Sequence, residues 1–204
     1  VLVVRRLSLV TAPAVEPLGL DEAKRAVRRY DGDEDTDLEE LIKEARDYFE
    51  GATSRQLISA TYDLILSGVP CEGWIEVPRP PLQTVSFFKY YDTAGTLQTL
   101  APTVYGYTAP QGPQSEHGRI FLKPEQYWPT IQDRQDAIQI RFVAGYGDEG
   151  TAVPYAVKRG LKLLIGHWYA NGEGVVKGSI AEELPLGVRS VIAKYKRRDE
   201  QRVA

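Results

Sequence analysis

Four aspartates at alternate positions, Asp31, Asp33, Asp35 and Asp37, are the side chains of this sequence whose type and spacing come nearest to a metal loop. An EF-hand loop needs Gly at its sixth position and a bidentate Glu at its twelfth. Counted from Asp31 the chain supplies Thr36 and Ile42, and counted from Asp33 it supplies Leu38 and Glu44. Neither register fits, so capping and solvated surface account better for these acids. His117 and His167 are the only histidines, and neither has a partner at ligand spacing. Gly145-Tyr146-Gly147 lacks the third glycine and the Lys-Ser/Thr of a phosphate cradle, and reads as a strand-ending turn. There is no Gly-x-Ser-x-Gly elbow. Glu182 and Glu183 are adjacent in a loop, with no apolar pocket to separate their pKa values. The single Cys71 excludes an intrachain disulfide and a multi-cysteine metal site. These residues point away from an enzyme, and no cofactor or metal is expected.

The elements that carry the side chains are more informative. Apolar residues make up 43% of 204, enough for a real core, and the 26% charged residues are ordinary for a soluble domain. A net charge of −3 argues against strong non-specific DNA binding by the whole surface. The charge is unevenly placed. Residues 31–50 hold ten Asp or Glu against two Lys or Arg, whereas residues 186–204 hold six Lys or Arg against two Asp or Glu. Such asymmetry suits oriented contacts within or between copies. No apolar run approaches the ~18 residues of a membrane span. Residues 1–10 show no signal-peptide pattern, so a reducing cytoplasm, or a particle assembled there, is expected.

The spacing predicts an extended stretch over residues 1–18, then a helix opened by Gly19 with Leu20, Ala23 and Val27 on one face. Thr36 and Glu39 read as a capping box for a second helix, striped by Leu38, Leu41, Ile42, Ala45, Tyr48, Phe49 and Ala52. Six short β-branched or aromatic runs follow: 61–66, 74–77, 84–91, 103–107, 118–122 and 137–143. Ile138, Ile140 and Phe142 alternate with Gln139, Arg141 and Val143, giving the last run a dry and a wet face. A third helix begins near Pro154, with Val157, Leu161, Leu164, Ile165 and Trp168 as its buried stripe, and a fourth follows Pro185 or Gly187. The expected class is α+β: a four-helix bundle from the N- and C-terminal helices, with an inserted antiparallel sheet or sandwich. The expected parts are 1–58 (arm and two helices), 59–150 (β insert) and 151–204 (two helices and a tail). The aromatics Tyr90, Tyr91, Tyr105, Tyr107, Tyr127 and Trp128 of the β part suit a core or interface. Stacking on sugars or bases is the alternative, a carbohydrate- or nucleic-acid-binding module.

In order and spacing the chain resembles the head–tail connector (adaptor) family of tailed bacteriophages and gene transfer agents, in its longer variety. The residues that carry the resemblance begin at Val15-Glu16-Pro17-Leu18-Gly19-Leu20-Asp21-Glu22-Ala23-Lys24 and continue through Asp37-Leu38, Ile42 and Ala45-Arg46-Asp47-Tyr48. They run on through Gly51-Ala52-Thr53-Ser54-Arg55-Gln56-Leu57-Ile58, Pro78-Arg79-Pro80-Pro81-Leu82 and Phe142-Val143-Ala144-Gly145-Tyr146-Gly147. Val153-Pro154, His167-Trp168-Tyr169 and Leu184-Pro185-Leu186-Gly187-Val188 complete the series. Gly19 departs from the family's usual Ser or Thr, Asp63 stands where an aromatic is common, and Asn171-Gly172 shortens the third helix.

The resemblance implies a structural virion protein with no catalytic residue. Its copies would form a ring below the portal, usually dodecameric, that extends the DNA channel and receives a tail-completion or stopper protein. It would be located in the neck of the virion after assembly in the host cytoplasm, with transient contact to packaged DNA and no membrane partner. The expected portal-binding segment comprises Leu186, Val188, Val191, Ile192, Tyr195, Lys196, Arg197 and Arg198. Asp33, Glu34, Asp35, Glu39 and Glu40 are the acids expected at the channel or between subunits.

Overall fold

The computed structural model describes residues 5–71, 73–171 and 184–196. In chain order its elements are β1 (Arg5–Thr11), α1 (Leu20–Val27), α2 (Asp35–Thr53), β2 (Ala60–Leu66), β3 (Trp74–Val77) and β4 (Leu82–Tyr91). Then come β5 (Leu97–Thr99), β6 (Tyr105–Thr108), β7 (Gly118–Leu122), β8 (Ile138–Ala144), α3 (Tyr155–Asn171) and α4 (Leu186–Tyr195). The class is α+β, with four helices and two antiparallel sheets among the described residues. The chain divides into two compact units, Val1–Ala14 with Ser59–Tyr146, and Val15–Ile58 with Gly147–Ala204.

The β unit holds a five-stranded sheet in the order β1-β2-β8-β4-β5 and a three-stranded sheet in the order β3-β7-β6. Ile138, Ile140, Phe142 and Ala144 are buried, while Gln139, Arg141 and Val143 are half-exposed, the alternation expected from the sequence. Leu64, Ile140 and Phe88 lie in one cross-strand row over β2, β8 and β4. Phe88 packs against Tyr105 and Trp128, both with ring centroids 5.7 Å away, which adds aromatic contact to ordinary apolar burial. Gly118 is required by space. A Cβ there would lie 2.2 Å from Leu82 Cδ2 and 2.9 Å from the Thr108 carbonyl.

Two strands were not expected, β1 and β5. The N-terminal arm, grouped with the helices on sequence grounds, pairs through β1 with β2, placing Leu7 opposite Leu64. Pro13 and Pro17 excluded helix but carried no information about a partner; the free edge of β2 supplies the backbone hydrogen bonds that an extended arm needs.

In the helical unit α1 starts after Gly19, which is extended (φ −76°, ψ 157°) and accepts the Glu22 N–H at 2.9 Å. The Thr36–Glu39 capping box does not form: α2 begins at Asp35 behind Glu34, with no side-chain cap. Acids at this positive helix end make ion pairs instead, Asp35 with Lys24 at 2.5 Å and Glu34 with Arg29 at 3.2 Å. Leu38, Ile42, Ala45 and Phe49 are buried, whereas Leu41 and Ala52 are half-buried and Tyr48 is 39% exposed. The stripe is therefore narrower than its periodicity suggested. Trp168 of α3 is also half-buried and meets Tyr48 edge-on at 5.8 Å.

α3 touches α1, α2 and α4, and α2 touches α1 and α4. Two lysines of α3, Lys158 and Lys162, grip Glu22 of α1, each at 2.8 Å. After α2 the buried Glu50 carboxylate accepts bonds from Gln56 Nε2 at 3.0 Å and the Leu57 amide at 2.8 Å, fixing the turn toward β2.

Candidate functional site: the acidic face and the C-terminal helix

The C-terminal helix is anchored at its far end. Val188 and Tyr195 are buried, and the Tyr195 ring packs on Phe49 at 6.3 Å. Arg55, itself buried, donates from Nε to the Tyr195 carbonyl at 2.7 Å. A cation at the negative end of a helix, satisfying a carbonyl the helix leaves open, holds α4 in place. The set of residues expected at a portal is thus split. Val188 and Tyr195 face inward, Val191 and Ile192 are half-buried, and Leu186 and Lys196 are exposed. Leu186 is 82% exposed. Arg197 and Arg198 lie outside the described residues.

The acidic set is split too. Asp35 is taken by Lys24, and Glu34 by Arg29 and the Tyr169 hydroxyl, which donates to it. Asp33, Glu39 and Glu40 are exposed, with no ion-pair partner among the described residues. Arg29 Nε also donates to the Tyr169 hydroxyl at 2.8 Å, tying the end of α1 to α3. The bond to Glu34 pushes the Tyr169 phenol upward, with Arg29 opposing it. Arg29 and Glu34 of this cluster close one end of a groove of about 690 Å³ whose other walls are Asp37, Glu40, Leu41 and Glu44 of α2 and Trp168, Tyr169 and Ala170 of α3.

Glu22 is the most displaced titratable group of the unit. Burial would raise it, but the Lys158 and Lys162 ammonium groups outweigh burial and hold it at about 2. In the β unit Arg141 bonds Asp63 through Nε at 2.8 Å and Nη2 at 2.9 Å, and Gln139 adds a third bond at 3.0 Å. The Arg141 bonds keep the Asp63 carboxyl below its usual range against the effect of burial. The aromatics weighed for ligand stacking are largely engaged within the unit. Tyr105 is buried, Trp128 stacks on Phe88, and Arg134 covers Tyr91 at 3.6 Å, while Tyr127 is 84% exposed. Among the described residues no group of three or more His, Cys, Asp or Glu could hold a metal ion, and no helix is long and apolar enough to cross a membrane.

No protein-family model and no curated protein matches the chain significantly. Solved structures do. A chain in the neck of an empty gene transfer agent (GTA) particle, computed with C6 symmetry, aligns with a TM-score of 0.74 at 22% identity, covering 94% of this chain and 95% of that one. A chain in the virion of a native gene transfer agent particle aligns at 0.72 and 24% identity, over 93% and 94%. A third, in the neck of a native GTA particle computed with C12 symmetry, aligns at 0.71 and 22%, over 94% of each chain. The fold is shared with these particle chains.

The pattern-based reading missed Lys24, Arg29, Arg55, Lys158, Lys162 and Tyr169 as organising residues. Most of their partners are far away in sequence (Arg29–Tyr169, Arg55–Tyr195 and Glu22–Lys162 are each 140 residues apart), so no local pattern could disclose those pairs. Lys24, Arg55 and Tyr169 carried a signal, through Val15 to Lys24, Gly51 to Ile58 and His167-Trp168-Tyr169.

Proposed function

We propose that this chain is a structural neck component of a phage-like particle, a head–tail connector whose copies form a ring on the portal and carry the DNA channel toward the tail. One observation carries the reading: a fold shared, nearly end to end, with a chain in the neck of a gene transfer agent particle. In this reading α1 to α4 form one four-helix bundle, and the role is non-enzymatic. A ring joins unlike faces of neighbouring copies. One chain bearing both an acidic helix and a basic C-terminal segment suits such a contact.

The exposed Leu186 and Lys196, with Arg197 and Arg198 beyond, are the side chains we assign to the portal; Val188 and Tyr195 hold α4 on its own unit. Asp33 and Glu39 are the acids we assign to the channel wall or the next subunit, where repulsion of phosphate would let DNA slide. The portal is the upper partner, a tail-completion or stopper protein the lower one, and the neck of the virion the location.

The test is electron microscopy of purified portal rings with and without the chain. A ring of this protein below the portal, lost when residues 186–204 are removed, is the expected result. Undiminished docking of the truncated chain rejects the assignment of the segment, and no docking by the full chain rejects the connector reading. Asp33→Lys with Glu39→Lys should slow genome exit, and unchanged infectivity would remove the acids from the channel.

A further inference from the structure

We infer that the groove between α2 and α3 is the seat of the chain's own basic C-terminal segment, residues 196–202, before the chain joins an assembly. The groove has an apolar floor, Leu41 and Trp168, beside a row of carboxylates, Asp37, Glu40 and Glu44, spaced by three and four along α2. None of these three acids is ion-paired among the described residues, whereas Glu34 and Asp35 one turn earlier are. Such a surface takes a peptide rich in Lys and Arg: carboxylates bind the guanidinium groups, and the indole accepts a cation on its face.

The chain supplies that peptide. Residues 196–202 contain Lys196, Arg197, Arg198 and Arg202 against Asp199 and Glu200. Its starting point is fixed, because Arg55 holds the Tyr195 carbonyl at 2.7 Å, next to the C-terminal end of α2. Glu44 lies nine residues before Thr53, the end of α2, or about 14 Å at ~1.5 Å per residue. Seven residues in extended form span up to about 23 Å. The segment can therefore run back along α2 and reach Glu44 and Glu40 without moving α4. Seated there, its cations are hidden from other acidic surfaces. In a connector the segment would have to leave the groove before meeting the portal, and only this consequence rests on the proposed function.

Zero-length carbodiimide cross-linking of the full chain carrying Arg202→Lys, at low salt and read by peptide mass spectrometry, tests the seat directly. The expected product joins the lysine placed at position 202 to Glu40 or Glu44 within the monomer-mass fraction, whereas Lys196, one residue past the fixed Tyr195, stays out of reach of both. The yield should fall at least fivefold in 0.5 M salt, where exposed charges are screened, and likewise when Arg197→Gln/Arg198→Gln is added to make a triple variant, which keeps the reactive lysine. Absence of the product overturns the inference. So does its presence only at dimer mass, which would give the groove to the segment of a second copy, or an unchanged yield in the triple variant. A positive cross-link in a chain that binds no portal would leave the groove assignment standing and defeat the connector reading alone.

Discussion

The two units of this chain arrange their charge differently. In the β unit the buried acid Asp63 is met by a bidentate Arg141 and by Gln139, and the apolar faces close over Phe88, Phe142 and Tyr105. The helical unit matches its buried Glu50 in the same way and holds Glu22 with two lysines, yet it also sets Asp37, Glu40 and Glu44 along an open groove. A polar group taken out of water must be matched where it sits, so Asp63 is not available to a partner, although exposed charges such as Glu116, Glu125 and Asp133 remain on the β unit. Carboxylates on a helix face cost nothing while solvated and remain available for recognition. The difference lies in the row of open acids along α2.

The strongest way to break this contrast is to overfill the β unit. Gly118→Val should lower its unfolding free energy by about 3 kcal/mol, because Leu82 and the Thr108 carbonyl leave no room for a side chain. Urea denaturation followed by near-UV dichroism would read it, and a change under 1 kcal/mol would mean the two sheets are loosely packed. In the helical unit Arg55→Ala should cost about 2 kcal/mol and expose the amides of α4 to faster hydrogen exchange, since the Tyr195 carbonyl loses its buried donor. Unchanged exchange in α4 would show that apolar packing alone holds it.

Glu22→Gln should cost roughly 1–2 kcal/mol at neutral pH. The sign follows from the depressed carboxyl. Its contribution is fully present above the ordinary value of 4.5 and fades as pH falls toward about 2. Wild type and variant should therefore differ at pH 7 and converge near pH 2, and equal stabilities at pH 7 would contradict the double-lysine grip. The smallest effect is expected at Tyr127. With 84% of its surface exposed, Tyr127→Ala should change stability by less than about 0.5 kcal/mol. Calorimetry against oligosaccharides and oligonucleotides should show no binding to lose; specific binding abolished by this change would revive the aromatic recognition surface.

Much of the β unit was legible because a strand with one wet and one dry face announces itself residue by residue, as Ile138 to Val143 do. The arm was not. Arg5 to Thr11 reads as extended, but nothing in it names a partner, and its strand forms on the edge that β2 offers. The first turn of α2 misled for a related reason. Thr36 and Glu39 have the spacing of a capping box, but Lys24 and Arg29 compete for the neighbouring acids, and tertiary ion pairs took the place of the local cap. At the candidate site the sequence left open which side chains face outward.

From the sequence alone came the class of the fold, the placement of most elements and the opposition of an acidic helix to a basic end. Those properties are local: periodicity, turn chemistry and charge are written within a few residues of one another. Tertiary structure decided which acids are spent and which are free, which face of α4 is buried, and that α2 and α3 enclose a groove. These depend on pairs such as Arg55 with Tyr195, brought together across 140 residues by the packing of apolar faces. Burial of those faces is non-directional, so it can bring such pairs together without any trace of them in the spacing of the chain.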